Sequence, residues 1–202
     1  MSKKILVISG SPQKHGNTEA LIDKFSEGAR SMGATVELVR AAELRLKFPG
    51  CTSCRACQKA ENYGCVIEDD AREVLAEMTR ADVIVMATPL YFFAASAQLK
   101  VLIDRMFSLY KWDNTAGTFT SPLKGKVLLL IGSAYEDVGL DVLEKPFALT
   151  ATYTGMGFRS LLVPNAGVSG DLAGQKDILR RAFTFGEKAA CDISQGEKNG
   201  PT

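Results

Sequence analysis

Three stretches of the chain are apolar at nearly every position and rich in β-branched or long aliphatic side chains: residues 4–8 (KILVI), 81–87 (ADVIVMA) and 126–131 (KVLLLI). Continuous rather than alternating hydrophobicity marks strands covered on both faces, as in a parallel sheet. Residues 35–40 (TVELVR) and 158–164 (FRSLLVP) alternate more and are expected nearer the sheet edges. Between these runs, apolar positions recur at helical spacing over residues 18–32, 70–79, 96–110, 140–154 and 172–190. Asp70 followed by Glu73 predicts a capping box for the second helix, and Gly33 a stop for the first. Strand alternating with helix five times predicts a doubly wound α/β sheet with right-handed crossovers, most simply a five-stranded parallel sheet in the order 2-1-3-4-5. Ligands of such a sheet sit beyond the carboxyl ends of its strands.

One segment breaks the alternation. Residues 42–68, after strand two, form a long connection without periodicity, and connections of that length are usually functional. No internal repeat or linker divides the chain, so one domain is expected over residues 1–192, followed by a flexible polar tail at 193–202.

Composition narrows the class of partner. The 202 residues suffice for one sizeable core, and 46% hydrophobic against 23% charged residues lies far from the signature of disorder. With 24 basic and 23 acidic side chains the formal charge is +1, so no surplus advertises nucleic acid or an anionic membrane. The apolar run at residues 5–8 is too short for a signal h-region or a membrane span, and the expected compartment is cytoplasmic.

The loop after strand one reads SGSPQKHGNTEAL over residues 9–21. It lacks the spacing of G-x-G-x-x-G, and Asn17 stands where a nucleotide P-loop has lysine. It does offer small residues, the hydroxyls of Ser9, Ser11 and Thr18, the Asn17 amide and the free N–H groups of a helix start, a donor set matching a monophosphate without magnesium. An ordinary strand-to-helix turn capped by Gly16 or Asn17 uses the same residue types. The loop after strand three, around Pro89-Leu90-Tyr91-Phe92-Phe93, sets consecutive aromatics at a carboxyl-terminal strand edge, suited to gripping a flat ring.

SGSPxxxGNT after strand one, TPLYFFAASAQLKVLIDR after strand three and the cysteine-rich insertion between them together resemble the flavodoxin-like NAD(P)H-dependent FMN reductases. The resemblance covers roughly residues 3–165 and is strongest to the iron–sulfur-flavoprotein-like branch. It implies a flavodoxin-like fold, with the FMN phosphate on Ser9, Ser11, Gln13, Gly16, Asn17 and Thr18, and the isoalloxazine ring on Pro89, Leu90, Tyr91, Phe92 and Phe93. Ser133, Ala134 and Tyr135, after strand four, match the third flavin loop more loosely. Relatives often carry arginine at position 13; glutamine here removes a charge that Lys14 or His15 could replace. Backbone N–H groups near the flavin's pyrimidine edge stabilise the negative charge of the reduced ring. The resemblance also implies NAD(P)H as co-substrate and a homodimer or homotetramer.

Several residues invite less specific readings. His15 is expected as a loop residue beside the phosphate, and Asp104-Arg105 as a solvated or structural ion pair at a helix end. Tyr110 and Trp112 either cover the ligand or anchor the following loop. Cys191 is expected to be a small buried hydrophobe.

Cys51, Cys54, Cys57 and Cys65 are spaced C-x2-C-x2-C-x7-C. Four thiolates in so compact a loop suit a [4Fe–4S] cluster, a zinc ion bound by all four sulfurs, or free redox-active thiols, and the pattern resembles that of the iron–sulfur flavoproteins. The expected function is therefore an FMN-dependent oxidoreductase passing electrons from NAD(P)H to a quinone, a flavin or another acceptor. The alternatives are an iron–sulfur flavoprotein fed one electron at a time by a ferredoxin-like donor, and a non-enzymatic sensor of a phosphate ligand.

Overall fold

The computed structural model describes residues 2–113 and 115–191. The polar tail expected over 193–202 lies outside them, as does residue 192, where the expected domain ends. Strand β1 (Lys4–Ser9) leads into helix α1 (Asn17–Ser31), and β2 (Thr35–Arg40) into the cysteine-bearing insertion with its short helix α2 (Ala56–Lys59). Helix α3 (Asp70–Arg80), strand β3 (Val83–Tyr91), the short β4 (Ala94–Ala95) and α4 (Ala97–Arg105) follow. A small hairpin, β5 (Lys111–Asp113) with β6 (Thr118–Thr120), precedes β7 (Val127–Ser133), α5 (Leu140–Thr154), β8 (Gly157–Val163) and α6 (Lys176–Ala190).

The long strands pair in parallel in the order β2-β1-β3-β7-β8. Their side chains divide cleanly between two cores. Leu6, Ile8, Ile84, Met86, Leu128 and Leu130 point to the face covered by α3, α4 and α5. Ile5, Val7, Val83, Val85, Leu129 and Ile131 point to the face covered by α1 and α6. Burial on both faces explains why these strands read as unbroken apolar runs.

Helices α1 and α6 approach closely enough that both need glycine. A Cβ on Gly28 would run into the Phe183 carbonyl, and one on Gly186 into the Phe25 carbonyl. Beside this crossing Phe25 and Phe185 meet edge to face, their ring centres 5.8 Å apart.

Four sequence expectations are corrected. The N-cap of α3 is Asp69, without a side-chain cap bond; Asp70 instead accepts the Arg45 N–H at 2.8 Å, so no capping box forms and both carboxylates face the insertion. The helix expected over 96–110 is shorter, because α4 ends at Arg105 and gives way to a 3-10 turn, Met106–Leu109. The last helix starts at Lys176 after a separate 3-10 turn, Asp171–Gly174. Cys191 is exposed, since the buried face of α6 runs through Ala182, Gly186 and Ala189 and position 191 falls off it.

Candidate functional site

Strand β3 outruns β1. Ser9 is the last residue of β1 to pair with it, opposite Ala87, while Thr88 and Pro89 go on to pair with β7. The Ala87 carbonyl faces the β1 side and accepts the Gly10 N–H at 2.7 Å, so residue 89 faces the same side just past the end of β1. A proline there forfeits no ladder bond. The step between β1 and β3, where the chain winds in opposite directions on either side, is the topological switch point, and loop 10–16 sits on it.

That loop is bolted to its surroundings. The Ser96 hydroxyl donates to the Gly10 carbonyl at 2.6 Å while capping α4 at Leu99 N–H, and a Cβ on Gly10 would lie 2.7 Å from both Ser96 Oγ and Leu99 Cβ. Ser9 Oγ donates to Glu19, a buried carboxylate that Arg40 holds through Nε at 3.2 Å and Nη2 at 3.1 Å. Ser9 Oγ also accepts the Ser11 N–H, and Ser11 Oγ bonds both the Gln13 N–H and the Gln13 carbonyl. Thr18 and Ser133 share a hydrogen bond of 2.9 Å, which joins this loop to the one after β7.

Asn17 reaches elsewhere. Its Nδ2 donates to the carbonyls of Ala166 at 2.9 Å and Val168 at 2.7 Å, and its Oδ1 accepts the Leu172 N–H. Ser169 Oγ donates to the His15 carbonyl at 2.9 Å, so loop 164–175 closes over the start of α1. Sequence reasoning missed this fourth loop, whose only signal is the density of Gly, Asn and Pro after β8. It also missed Glu19, Arg40 and Ser96.

The side chains of Ser9, Asn17 and Thr18 are thus committed to protein partners, and what stays open is backbone. The first helical bond of α1 runs from the Ala20 N–H to the Gly16 carbonyl, leaving the N–H groups of Asn17, Thr18 and Glu19 ahead of it. Gly16 caps the helix without a side-chain bond. Such a bare positive end suits a phosphate monoester. The exposed Gln13 and His15 side chains border it, whereas Lys14 is paired with Glu43 at 2.6 Å and holds that carboxyl below its ordinary pKa.

The aromatic segment forms a tight hairpin. Leu90 pairs with Ala95 and Tyr91 with Ala94, and Phe92 and Phe93 between them have φ of 45° and 64°. Positive φ at both central residues marks a type I′ turn, a place for Asn-Gly, so two phenylalanines here carry strain. Phe92 is 99% exposed at the tip. Phe93 lies against Gly139 and Tyr135 against Gly167, and in each case a Cβ on the glycine would enter the ring. The hairpin borders an apolar cavity of about 190 Å³ between α4 and α5, lined by Phe93, Ile103, Met106, Val142 and Phe147. Strain at an exposed aromatic tip is characteristic of a ligand clamp, and the flat faces of Tyr91, Phe92, Phe93 and Tyr135 suit a fused ring system.

Tyr110 and Trp112 belong to an aromatic ladder: Trp112 stacks on Phe119, Phe119 stacks on Tyr153 with centres 5.1 Å apart, and Tyr110 packs edge-on against both Phe107 and Tyr153. The ladder anchors the β5–β6 hairpin to α5.

Cys51, Cys54, Cys57 and Cys65 line one small pocket together with Arg55, Arg105 and Phe107. Cys57 is buried, Cys65 half-buried, and Cys51 and Cys54 are exposed. Burial pushes the Cys57 thiol up, and its three sulfur neighbours add to the rise. Cys54 is shifted down by the Ala56 N–H and the Thr52 hydroxyl. Ser53 and Arg55, flanking Cys54, both have φ near 55°. The loop is tied to the segment after α4 by the Gln58 amide on the Tyr110 carbonyl at 2.9 Å, the Gly64 N–H on the Ser108 carbonyl at 3.0 Å, and Lys111 Nζ on the carbonyls of Cys57 and Ala60.

Among the described residues, no three metal-ligating side chains converge tightly enough to hold a single ion. Four cysteine side chains around one pocket are a donor set of the kind a [4Fe–4S] cluster takes. Free space in the pocket is about 20 Å³, and Cys51 and Cys54 lie on its exposed side.

Arg105 is 1% exposed and pairs not with Asp104, as expected, but with buried Asp69 at 2.7 Å; Asp104 pairs with Lys100 at the surface. Burial opposes the ionisation of Asp69, but the hydrogen bonds from Arg105 and the Lys47 N–H prevail and hold its carboxyl below the ordinary value.

A profile of the NADPH-dependent FMN reductases matches residues 3–159. The chain belongs to that family. Membership supports FMN as the cofactor. Among curated proteins the chain is 38% identical over 102 residues to an iron-sulfur flavoprotein of Methanocaldococcus jannaschii and 38% identical over 102 residues to one of Methanosarcina thermophila. Each alignment covers 50% of this chain and 51% of the relative, so the chain spans about half the length of the curated relatives it matches. Among solved structures it superposes on an NAD(P)H:quinone oxidoreductase from Methanothermobacter marburgensis with a TM-score of 0.69 at 19% identity, covering 93% of this chain and 97% of that one. An azoreductase from Bacillus anthracis gives 0.70 at 17% identity, with 92% and 99% covered. At these identities the likeness is one of fold, the flavodoxin-like α/β sheet. Among the described residues, no helix is long and apolar enough to cross a membrane.

Proposed function

We propose that the chain is an FMN-dependent oxidoreductase that takes electrons from NAD(P)H and delivers them to a flat, apolar acceptor such as a quinone or a flavin. When bound, FMN supplies the chemistry, accepting a hydride and releasing electrons. The protein's part is to bind, orient and exclude water.

The bare N–H groups of Asn17, Thr18 and Glu19, with Ser11, Gln13 and Gly16 beside them, take the phosphate. Ser9 and Thr18 act through their side chains as braces of the loop. Pro89 to Phe93 and Tyr135 bound the ring, with Ser133 and Ala134 setting the backbone of the third loop. The observation that carries this reading is the uncapped start of α1 at the switch point, on the sheet edge that also bears the strained aromatic hairpin.

The cysteine pocket favours a second component, a [4Fe–4S] cluster held by Cys51, Cys54, Cys57 and Cys65, in keeping with the names of the curated relatives. It supports one-electron exchange with a ferredoxin-like donor. Val142, Leu149 and Tyr153, exposed along α5, support a homo-oligomer.

The test is an absorption spectrum of anaerobically purified protein, with FMN, iron and sulfide content and bleaching by NAD(P)H. Flavin bands that bleach with NAD(P)H and recover on adding a quinone support the oxidoreductase. Flavin that bleaches only with a ferredoxin-like donor moves the assignment to the electron-transfer reading. A colourless protein whose melting temperature ignores FMN rules out both and favours the phosphate-ligand sensor.

A further inference from the structure

Arg105 is the largest fully buried side chain among the described residues, and it lies on the wall of the cysteine pocket. Its Nη1 donates to Asp69 at 2.7 Å and its Nη2 to the Ile67 carbonyl at 3.3 Å, while the guanidinium also lies beside the Cys65 thiol. Its Nε has no hydrogen-bond partner, and neither does Asp69 Oδ1. A buried, unsatisfied N–H on a fixed cation is costly, and a protein that needed only an ion pair here would have satisfied it. The cost makes sense where negative charge gathers, and the four sulfurs of this pocket are that place.

We propose that Arg105 is a positioning residue for the four-cysteine pocket: held in place by Asp69 on the pocket wall, it favours the reduced state of a cluster bound there. The inference rests on the cluster reading above but concerns this chain's own cation. Asp69 fixes the orientation of the fork, and the hydrogen bond from the Lys47 N–H to Asp69 at 3.0 Å anchors the pair to the insertion itself. A reduced cluster carries one more negative charge than an oxidised one, and a fixed cation in a dry wall favours the more negative state.

The experiment compares wild type, Arg105→Gln, Arg105→Lys and the double variant Asp69→Asn/Arg105→Gln after anaerobic reconstitution with ferrous iron and sulfide, reading iron and sulfide per chain and the midpoint potential. Arg105→Gln is expected to shift the midpoint to more negative values by at least a tenfold change in the reduced-to-oxidised ratio, about 59 mV for one electron. Arg105→Lys, which keeps the charge, is expected to retain most of the wild-type potential. If Arg105→Gln fails to fold with a stranded carboxylate, the double variant removes that carboxylate, and a smaller negative shift is expected because the guanidinium is the partner nearer the sulfurs. Cluster uptake with an unmoved potential overturns the role of Arg105 and leaves the cluster reading intact. If wild type takes up neither iron nor sulfide, the cluster reading fails and the role of Arg105 that rests on it falls with it.

Discussion

Replacing Asn17 by alanine separates two roles that its position allows, phosphate ligand and loop brace. The side chain is buried, and its amide donates to Ala166 at 2.9 Å and Val168 at 2.7 Å, with a weaker bond accepted from Leu172 at 3.4 Å. Each intact buried hydrogen bond contributes about 1 kcal/mol, so the loss comes to roughly 2–3 kcal/mol. At this chain length 1 kcal/mol moves the melting temperature by about 2–4 °C, so FMN-free Asn17→Ala should melt roughly 4–12 °C lower. Backbone amides of loop 164–175 should exchange with deuterium roughly 30- to 150-fold faster, the same free energy read locally. Asn17→Asp should be worse, because a carboxylate would face two carbonyl oxygens without a proton to donate. Thermal melts and hydrogen exchange on FMN-free protein, set beside an FMN titration, provide the assay. Unchanged melting and exchange alongside a large loss of FMN affinity would refute the brace and return Asn17 to the phosphate.

Three further substitutions probe other links. Phe92→Gly relieves a left-handed conformation, so the FMN-free protein should gain about 1 kcal/mol while FMN binds more weakly; a loss of stability would show that the turn is not strained. Asp69 has a folded pKa held below its unfolded value of about 3.9, so its contribution is complete above pH 4 and is lost as pH falls through the lower folded value. Asp69→Asn should flatten that acid limb in urea unfolding while costing about 3–5 kcal/mol at neutral pH, and an unaltered limb would contradict the assignment. Gly186→Ala drives a Cβ into the Phe25 carbonyl and should cost at least about 1–3 kcal/mol by forcing α1 and α6 apart; a melting temperature equal to wild type would mean the helices do not pack this closely.

The sheet was legible because its strands are sandwiched between helices, which leaves Val7, Val85 and Leu129 no polar neighbours to blur the pattern. The loops were legible as chemistry but not as connectivity. Asn17 looked like a ligand because its partners, Ala166 and Val168, lie some 150 residues away and contribute only carbonyls, which no side-chain pattern announces. Pro89 hid the extension of β3, since a proline ends a strand unless its neighbour has already stopped. Arg105 looked like half of a local pair with Asp104, but adjacent helical residues point apart, and its true partner is the N-cap of α3, Asp69. In each case local spacing suggested a partner and tertiary packing supplied another.

The crossing of α1 and α6 bears on where a working unit of this protein must end. The family match stops at residue 159, and every residue proposed to meet the flavin precedes that point. Yet α1, whose first turn is the proposed phosphate site, leans its glycine face on residues 183–187 of a helix that begins at Lys176. A fragment cut at the end of the family match would keep all the proposed flavin contacts and remove the Gly186 face that packs on Phe25 and Ala29. The stretch the family profile matches is thus shorter than the stretch that packs around the proposed phosphate site.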